Sequence, residues 1–172
     1  MHYANIKNLD IADGPGVRVS LFVSGCRRHC ESCFNSVAWD FEYGKEFTSR
    51  SLLELLRLIE NPHVAGFSVL GGEPLEPENR DTVCDICNAV KLEYPKKNIW
   101  MWTGYNFEDV KDFPVMKYID ILVDGPFVLE KKDLSLSYCG SSNQRVIDVQ
   151  KSLESGDTIL WKEPPSLRLH NL

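Results

Sequence analysis

The chain has 172 residues, enough for one domain with a core of its own but short of the ~250 residues of a complete eight-stranded α/β barrel. Hydrophobic residues at 43% and charged residues at 26% exclude a largely disordered or collagen-like chain. Nineteen Lys and Arg against 25 Asp and Glu leave a formal charge of −6, the wrong sign for holding nucleic acid or an anionic membrane by bulk electrostatics.

No stretch approaches the ~18 consecutive apolar residues of a membrane span, and the opening residues lack the apolar core of a signal peptide, so the sequence reads as cytoplasmic, with no membrane or nucleic-acid partner. Along the chain, Val17, Val19, Leu21 and Val23 alternate with Arg18, Ser20 and Phe22, which predicts a strand ending at Ser24-Gly25. A helix is expected from about Ser51, where Ser51 and Glu54 suggest a capping box and Leu52, Leu55, Leu56 and Ile59 share a face; Asn61-Pro62 stops it. Val64 to Leu70 reads as a buried strand ending at Gly71-Gly72. A second helix is expected from about Arg80 to Tyr94, with Val83, Ile86, Cys87 and Val90 inward and Pro95 at its end. Ile99 to Trp102 reads as a strand and Asn106 as the cap of a shorter helix with Val110 and Phe113 inward. Ile119 to Val123 reads as a strand ending at Asp124-Gly125. Beyond Phe127 the pattern weakens to a polar Gly140-Ser141-Ser142-Asn143-Gln144-Arg145 stretch, a short strand at Thr158 to Trp161 and a loose tail over 163–172.

Strands alternating with helices argue for parallel βαβ units, whose loops after the strands gather on one side. The expected fold is α/β: residues 1–172 as a single domain, an open partial (βα) barrel of about six mostly parallel strands with the site on its C-terminal rim. Glycines crowd the loops of that rim, as expected where backbone approaches a ligand closely.

Six cysteines in a reducing compartment are packing, metal-binding or catalytic residues rather than disulfides. Cys26-Arg-Arg-His-Cys30-Glu-Ser-Cys33 puts three thiols within eight residues. Thiolates that close repel one another unless a cation or cluster neutralises them. Zinc with His29 as fourth ligand is one candidate, although structural zinc sites gather ligands from two separated knuckles. An iron-sulfur cube with three local cysteines is the other; it leaves one iron open, which suits substrate binding more than simple electron carriage. Cys84, Cys87 or Cys139 could close the shell; Cys84 and Cys87 share a predicted helix and read as buried thiols, whereas Cys139 abuts the polar Gly140 to Arg145 stretch and stays open.

The Cys-x-x-x-Cys-x-x-Cys loop followed by Gly71-Gly72-Glu73-Pro74 resembles the radical S-adenosylmethionine superfamily. Asp13-Gly14-Pro15-Gly16-Val17-Arg18 is similar to the glycyl-radical-enzyme activases within it. Trp102-Thr103-Gly104-Tyr105, Asp124-Gly125-Pro126-Phe127 and Gly140 to Arg145 narrow the resemblance to activating proteins of anaerobic ribonucleoside-triphosphate reductases, over roughly residues 3–150. The resemblance implies that Cys26, Cys30 and Cys33 ligate three irons of a [4Fe-4S] cluster whose open iron is chelated by S-adenosylmethionine. The Gly71-Gly72-Glu73 rim would take the methionine amino group, and Ser32, Cys33 and Phe34 would lie against the adenosyl part, with Ser32 standing where many relatives have an aromatic residue or glycine. It further implies a radical S-adenosylmethionine oxidoreductase. By the same resemblance, reduced flavodoxin or ferredoxin would donate an electron, S-adenosylmethionine would be cleaved to a 5'-deoxyadenosyl radical, and this would take hydrogen from a glycine of the large reductase subunit. That step needs no protein acid or base, so no catalytic side chain is assigned. Arg27 and Arg28 would receive an acidic electron donor, neutralise the cluster, or simply be solvated; Tyr105, Asn143 and Arg145 are candidates for contacts to the adenosyl group or the partner's glycine loop. The alternatives are an activase of another glycyl radical enzyme such as pyruvate formate-lyase, and a non-enzymatic metal-binding or electron-transfer module.

Overall fold

The computed structural model describes residues 1–164. Seven strands form one sheet: β1 (His2–Asp10), β2 (Val17–Val23), β3 (Lys45–Glu46), β4 (Val64–Gly71), β5 (Asn98–Trp102), β6 (Ile121–Asp124) and β7 (Arg145–Asp148), in the order β3-β1-β2-β4-β5-β6-β7. β2, β4, β5 and β6 are parallel neighbours, whereas β1 pairs antiparallel with β2 and β3, and β7 antiparallel with β6. The expectation of about six mostly parallel strands therefore gives way to seven, with parallel pairing confined to the middle four. A parallel neighbour needs a crossover of a dozen or more residues, and only six separate β1 from β2. The sheet is not closed, and β3 and β7 are its edges.

Two helices, α1 (Ser49–Ile59) and α2 (Arg80–Glu93), supply the crossovers around β4. Leu55 and Ile59 of α1 and Val83, Ile86, Cys87 and Val90 of α2 join Val19, Leu21, Val23, Phe67, Val69, Ile99, Met101 and Leu122 in the main core. These strand residues sit two apart, so one face of the sheet is apolar throughout, each large side chain contributing about 1.5–3 kcal/mol by leaving water. α1 starts two residues before the predicted Ser51. Thr48 is its N-cap, accepting from the Ser51 amide, while Ser51 Oγ accepts from the Thr48 amide. Ser51 thus closes the capping box from inside, and Glu54 has no part in it.

α3 (Phe107–Val110) is a single turn whose N-cap residue Asn106 makes no side-chain cap bond. Asp124, at the end of β6, accepts from the Phe107 amide at 2.8 Å instead. The strand expected at Thr158 to Trp161 is reduced to one bridge between Leu160 and Ile147. β1, β3, β7 and α4 (Val149–Ser155) carry too little periodic apolar signal to be predicted. Of the tail expected over 163–172, residues 165–172 lie outside the described residues, and Glu163 accepts from the Tyr138 hydroxyl at 3.3 Å.

The opposite sheet face is polar at one end. Arg18 is fully buried there: Nε donates to Ser68 Oγ at 2.6 Å, Nη1 to Asn98 Oδ1 at 2.8 Å and Nη2 to the Phe67 carbonyl at 2.7 Å, while the guanidinium lies over Trp100. Burial lowers its pKa to about 10, which leaves it charged at neutral pH. Beside it, the Asp10 carboxylate accepts from Ser20 Oγ at 2.6 Å, Lys7 Nζ at 2.7 Å and the Ala12 amide. Asp13 is pushed up to about 7, first by burial and then by sharing a hydrogen bond with Asp10. Those bonds hold Asp10 well below the usual carboxylate range despite its own burial.

Below about pH 7 Asp13 therefore holds a proton toward the ionised Asp10 carboxylate. A raised folded pKa stabilises the fold below the unfolded value near 4, and that contribution is lost as pH rises through 7. Asp13→Asn keeps a donor toward Asp10 without the titration. The variant should gain on the parent by about 1 kcal/mol between pH 4 and pH 8, solvent screening having reduced the full linkage for a partly exposed group. Urea unfolding at both pH values checks this; an unchanged difference would refute the proton on Asp13.

Candidate metal centre

Because β2 and β4 run parallel side by side, their C-terminal ends deliver two loops to one rim. Residues 24–39 leave β2 and carry the three thiols; residues 72–79 leave β4. The loops are stitched by backbone. The Gly72 amide donates to the Val23 carbonyl at 2.7 Å and the Glu73 amide to the Gly25 carbonyl at 2.9 Å; the Gly25 and Cys26 amides reach the Ala38 and Trp39 carbonyls. This closeness demands glycine at 72, where a Cβ would stand 2.6 Å from the Gly25 oxygen and 2.9 Å from the Ala38 oxygen.

Within the cysteine loop, His29 and Ser32 adopt φ of 46° and 56°, left-handed values immediately before Cys30 and Cys33. Such residues cost about 1–3 kcal/mol each and persist where surroundings hold them. Here they coil the loop, and the Cys33 amide donates to the Cys30 carbonyl at 3.1 Å. Cys26 is buried and Cys30 and Cys33 are half-buried. Burial pushes the Cys26 thiol up, while the backbone N–H groups of Arg28 and His29 bond its sulfur and favour the thiolate. Ser32 is exposed and Phe34 is 89% exposed, with its ring packed into no core. His29 stacks on Trp39, 4.4 Å between centroids.

Among the described residues, no group of three or more His, Cys, Asp or Glu side chains is gathered closely enough to hold a single metal ion. The donor set fits a cluster better, since each thiolate then binds a different iron and one short loop, with one buried and two half-buried cysteines, provides all three. The remaining cysteines are elsewhere. Cys87 is fully buried on α2 and Cys84 packs against the same core, burial pushing both thiols up. Cys139 packs beside Trp100, Ile121 and Val123 on the other sheet face.

Glu73 is 1% exposed. Its Oε1 accepts from the Leu75 amide at 3.0 Å and Thr103 Oγ1 at 2.7 Å, and its Oε2 from the Gly104 amide at 2.8 Å. Arg28 Nε stands 3.5 Å from Oε2. Burial pushes the carboxyl up against these four influences. Arg28 also lies over the Tyr105 ring, 4.1 Å from its centroid. Arg27 is spent on Glu76 and Glu78, and Asn79 Nδ2 donates to the Ser24 and Glu73 carbonyls at 2.9 and 3.0 Å. Sequence reading assigned no role of their own to Thr103, Glu76 and Asn79. Asn79 directly before a predicted helix looks like an ordinary cap, but its amide ties two loops together.

The rest of the rim interlocks similarly. Arg145 pairs with Asp124 and Glu108, Asn143 Nδ2 donates to the Pro126 carbonyl, Gln144 Nε2 to the Gly125 carbonyl, and the Gly125 amide to the Tyr105 carbonyl. The structure thus brings Gly71, Gly72, Glu73 and Cys26 to one junction, with Cys30 and Cys33 on the same loop and Ser32 and Phe34 at its exposed turn.

Residues 12–147 match a family described as a 4Fe-4S single cluster domain. The chain is 39% identical over 146 residues to the anaerobic ribonucleoside-triphosphate reductase-activating protein of Enterobacteria phage T4, covering 85% of this chain and 93% of that one. Proteins of the same name from Escherichia coli (strain K12) and Vibrio cholerae serotype O1 are 37% identical over 150 residues and 36% over 148. They cover 85% and 84% of this chain and 97% and 96% of their own lengths.

Gly72→Ala should force the two loops apart, because its new methyl meets backbone oxygens that cannot rotate away. We expect a loss of about 1–3 kcal/mol in urea unfolding together with reduced iron uptake on anaerobic reconstitution. Unchanged values of both would show that the junction has slack.

Proposed function

The chain belongs to the family of anaerobic ribonucleoside-triphosphate reductase-activating proteins, with its 4Fe-4S single cluster domain, and on that premise we propose that it activates such a reductase by radical S-adenosylmethionine chemistry. The observation that carries the reading is the three-thiol loop of β2 locked against the Gly72-Glu73 turn of β4. A [4Fe-4S] cluster held by Cys26, Cys30 and Cys33 supplies the electron that splits S-adenosylmethionine into methionine and a 5'-deoxyadenosyl radical, which takes a hydrogen atom from a glycine Cα of the reductase. The protein binds, orients and excludes competing reactants.

Cys26, Cys30 and Cys33 give up their protons to ligate iron, which the N–H groups around Cys26 favour. The Gly71-Gly72-Glu73 turn offers carbonyl oxygens to the methionine ammonium, and glycine at 71 and 72 lets that turn lie directly against the backbone of β2 and the cysteine loop. Ser32 and Phe34 lie at the adenosyl side, where the exposed Phe34 ring provides a flat apolar surface for a base. Reduced flavodoxin or ferredoxin is the electron donor in this reading. Arg27, held by Glu76 and Glu78, is spoken for within the chain and is not the donor's docking cation.

In the same reading the chain acts as one domain, and the sheet, open between β3 and β7, serves as a partial barrel. A glycine in a loop of a larger protein reaches a rim-bound radical only through a side opening, and reacting atoms must come within about 3–3.5 Å. No helix among the described residues is long and apolar enough to cross a membrane.

The test is incubation of the reconstituted protein with the reductase, S-adenosylmethionine and a reductant under anaerobic conditions. Electron paramagnetic resonance should show a glycyl doublet on the reductase. Cys30→Ala should abolish iron uptake and the doublet, whereas Cys84→Ala should leave both within about twofold. Loss of the cluster in Cys84→Ala would overturn the ligand assignment.

A further inference from the structure

Three arginines stand on the rim that carries the cysteine loop, and the structure treats them differently. Arg27 forks onto Glu76 and Glu78, and Arg145 onto Asp124 and Glu108, so the terminal N–H groups of both are committed to carboxylates of this chain. Arg28 lies between Cys26 and Cys30, and its guanidinium makes no hydrogen bond with any described residue. Its Nε is buried without a hydrogen-bond partner, 3.5 Å from Glu73 Oε2. Its stem is nevertheless fixed. The guanidinium plane rests over Tyr105 at 4.1 Å, and its Cδ and Nε occupy the space above Gly104, where a Cβ would come within 2.3 and 2.5 Å.

This combination is unusual for a structural arginine. Glu73 offsets the charge and the aromatic ring sets the plane, but the donors at the tip, on a side chain that is 27% exposed, remain unused. A planar guanidinium whose orientation is already set loses little entropy on taking a two-oxygen anion, which it matches bidentately. S-adenosylmethionine offers one such anion. Its sulfonium and ammonium are repelled by an arginine, and its ribose and base are uncharged, so the α-carboxylate is the group this side chain selects.

We infer that Arg28 is the residue that recognises the α-carboxylate of S-adenosylmethionine, held in place by Tyr105, Gly104 and Glu73. The inference rests on the radical S-adenosylmethionine reading above and assigns a function to the Trp102-Thr103-Gly104-Tyr105 segment. Gly104 makes room for the Arg28 stem and its amide holds Glu73. Thr103 orients Glu73 through its hydroxyl, and Tyr105 is the platform.

The experiment is equilibrium dialysis of anaerobically reconstituted, unreduced protein against two probes, S-adenosylmethionine and its decarboxylated analogue, with iron and sulfide measured on the same samples. Arg28→Gln should take up iron normally and bind S-adenosylmethionine about 10–100-fold more weakly, the range expected for a charge-assisted bidentate contact. Its affinity for the decarboxylated analogue should stay within about twofold of the parent's. Gly104→Ala, which displaces the Arg28 stem without altering its charge, should lose the same preference in part. If Arg28→Gln fails to take up iron, Arg28→Lys carries the test: an ammonium keeps the charge but lacks the fork, so the preference for the carboxylated probe should fall. Equal weakening of both probes, or no weakening of either, overturns the assignment while leaving the broader reading intact. Failure of the parent protein, loaded with cluster, to bind S-adenosylmethionine at all overturns both.

Discussion

A carboxylate with 1% exposure is costly unless its charge is answered, and the way Glu73 is answered organises the rim. Leu75 belongs to its own turn, Thr103 and Gly104 to the loop after β5, and Arg28 to the cysteine loop after β2. One buried charge thereby draws three chain segments to a point. The contacts from Thr103, Gly104 and Arg28 form only because β2, β4 and β5 are parallel and adjacent, so that their ends emerge together. The close backbone packing at Gly72 is the steric counterpart of the same constraint.

The two faces of the sheet divide the work of stability and function. One face is continuously apolar and covered by α1 and α2, and it accounts for most of the core. The other buries Arg18, Asp10, Ser20 and Ser68 toward the N-terminal ends of the strands and an aromatic group of Trp100, Tyr138 and Trp161 beside them. Every terminal nitrogen of Arg18 finds an acceptor within the chain, and the upward shift of the Asp13 carboxyl, from burial and the nearby Asp10, limits the negative charge near it. This end is closed by satisfied polar contacts. The rim at the opposite strand ends keeps its unused donors on Arg28 and its exposed aromatic surface on Phe34, the pattern expected where a ligand is to be met.

The sheet stays open between β3 and β7. A closed barrel would hide its edges, whereas here β7 is four residues long and β3 covers only His2 and Tyr3 of the nine-residue β1, so most of the outer edge of β1 has no strand beside it among the described residues.

The sequence by itself determined what depends on local pattern. Alternation located β2, helical spacing located α2 and its four inward residues, and the three-thiol spacing and the Gly-Gly-Glu-Pro turn singled out two loops that the structure brings to one rim. Capping was partly legible: α1 has a capping box, but Thr48 replaces Ser51 as the cap residue. β1 and β7 were not legible, because an antiparallel flanking strand is defined by its partner and His2–Asp10 is mostly polar. Only the tertiary structure decided which side chain answers which. Arg27 and Arg28 are adjacent and chemically identical, yet one is consumed by Glu76 and Glu78 while the other rests on Tyr105 with its tip unused. Such choices are made by residues far apart in the chain and brought close by strand order, and periodicity carries no information about them.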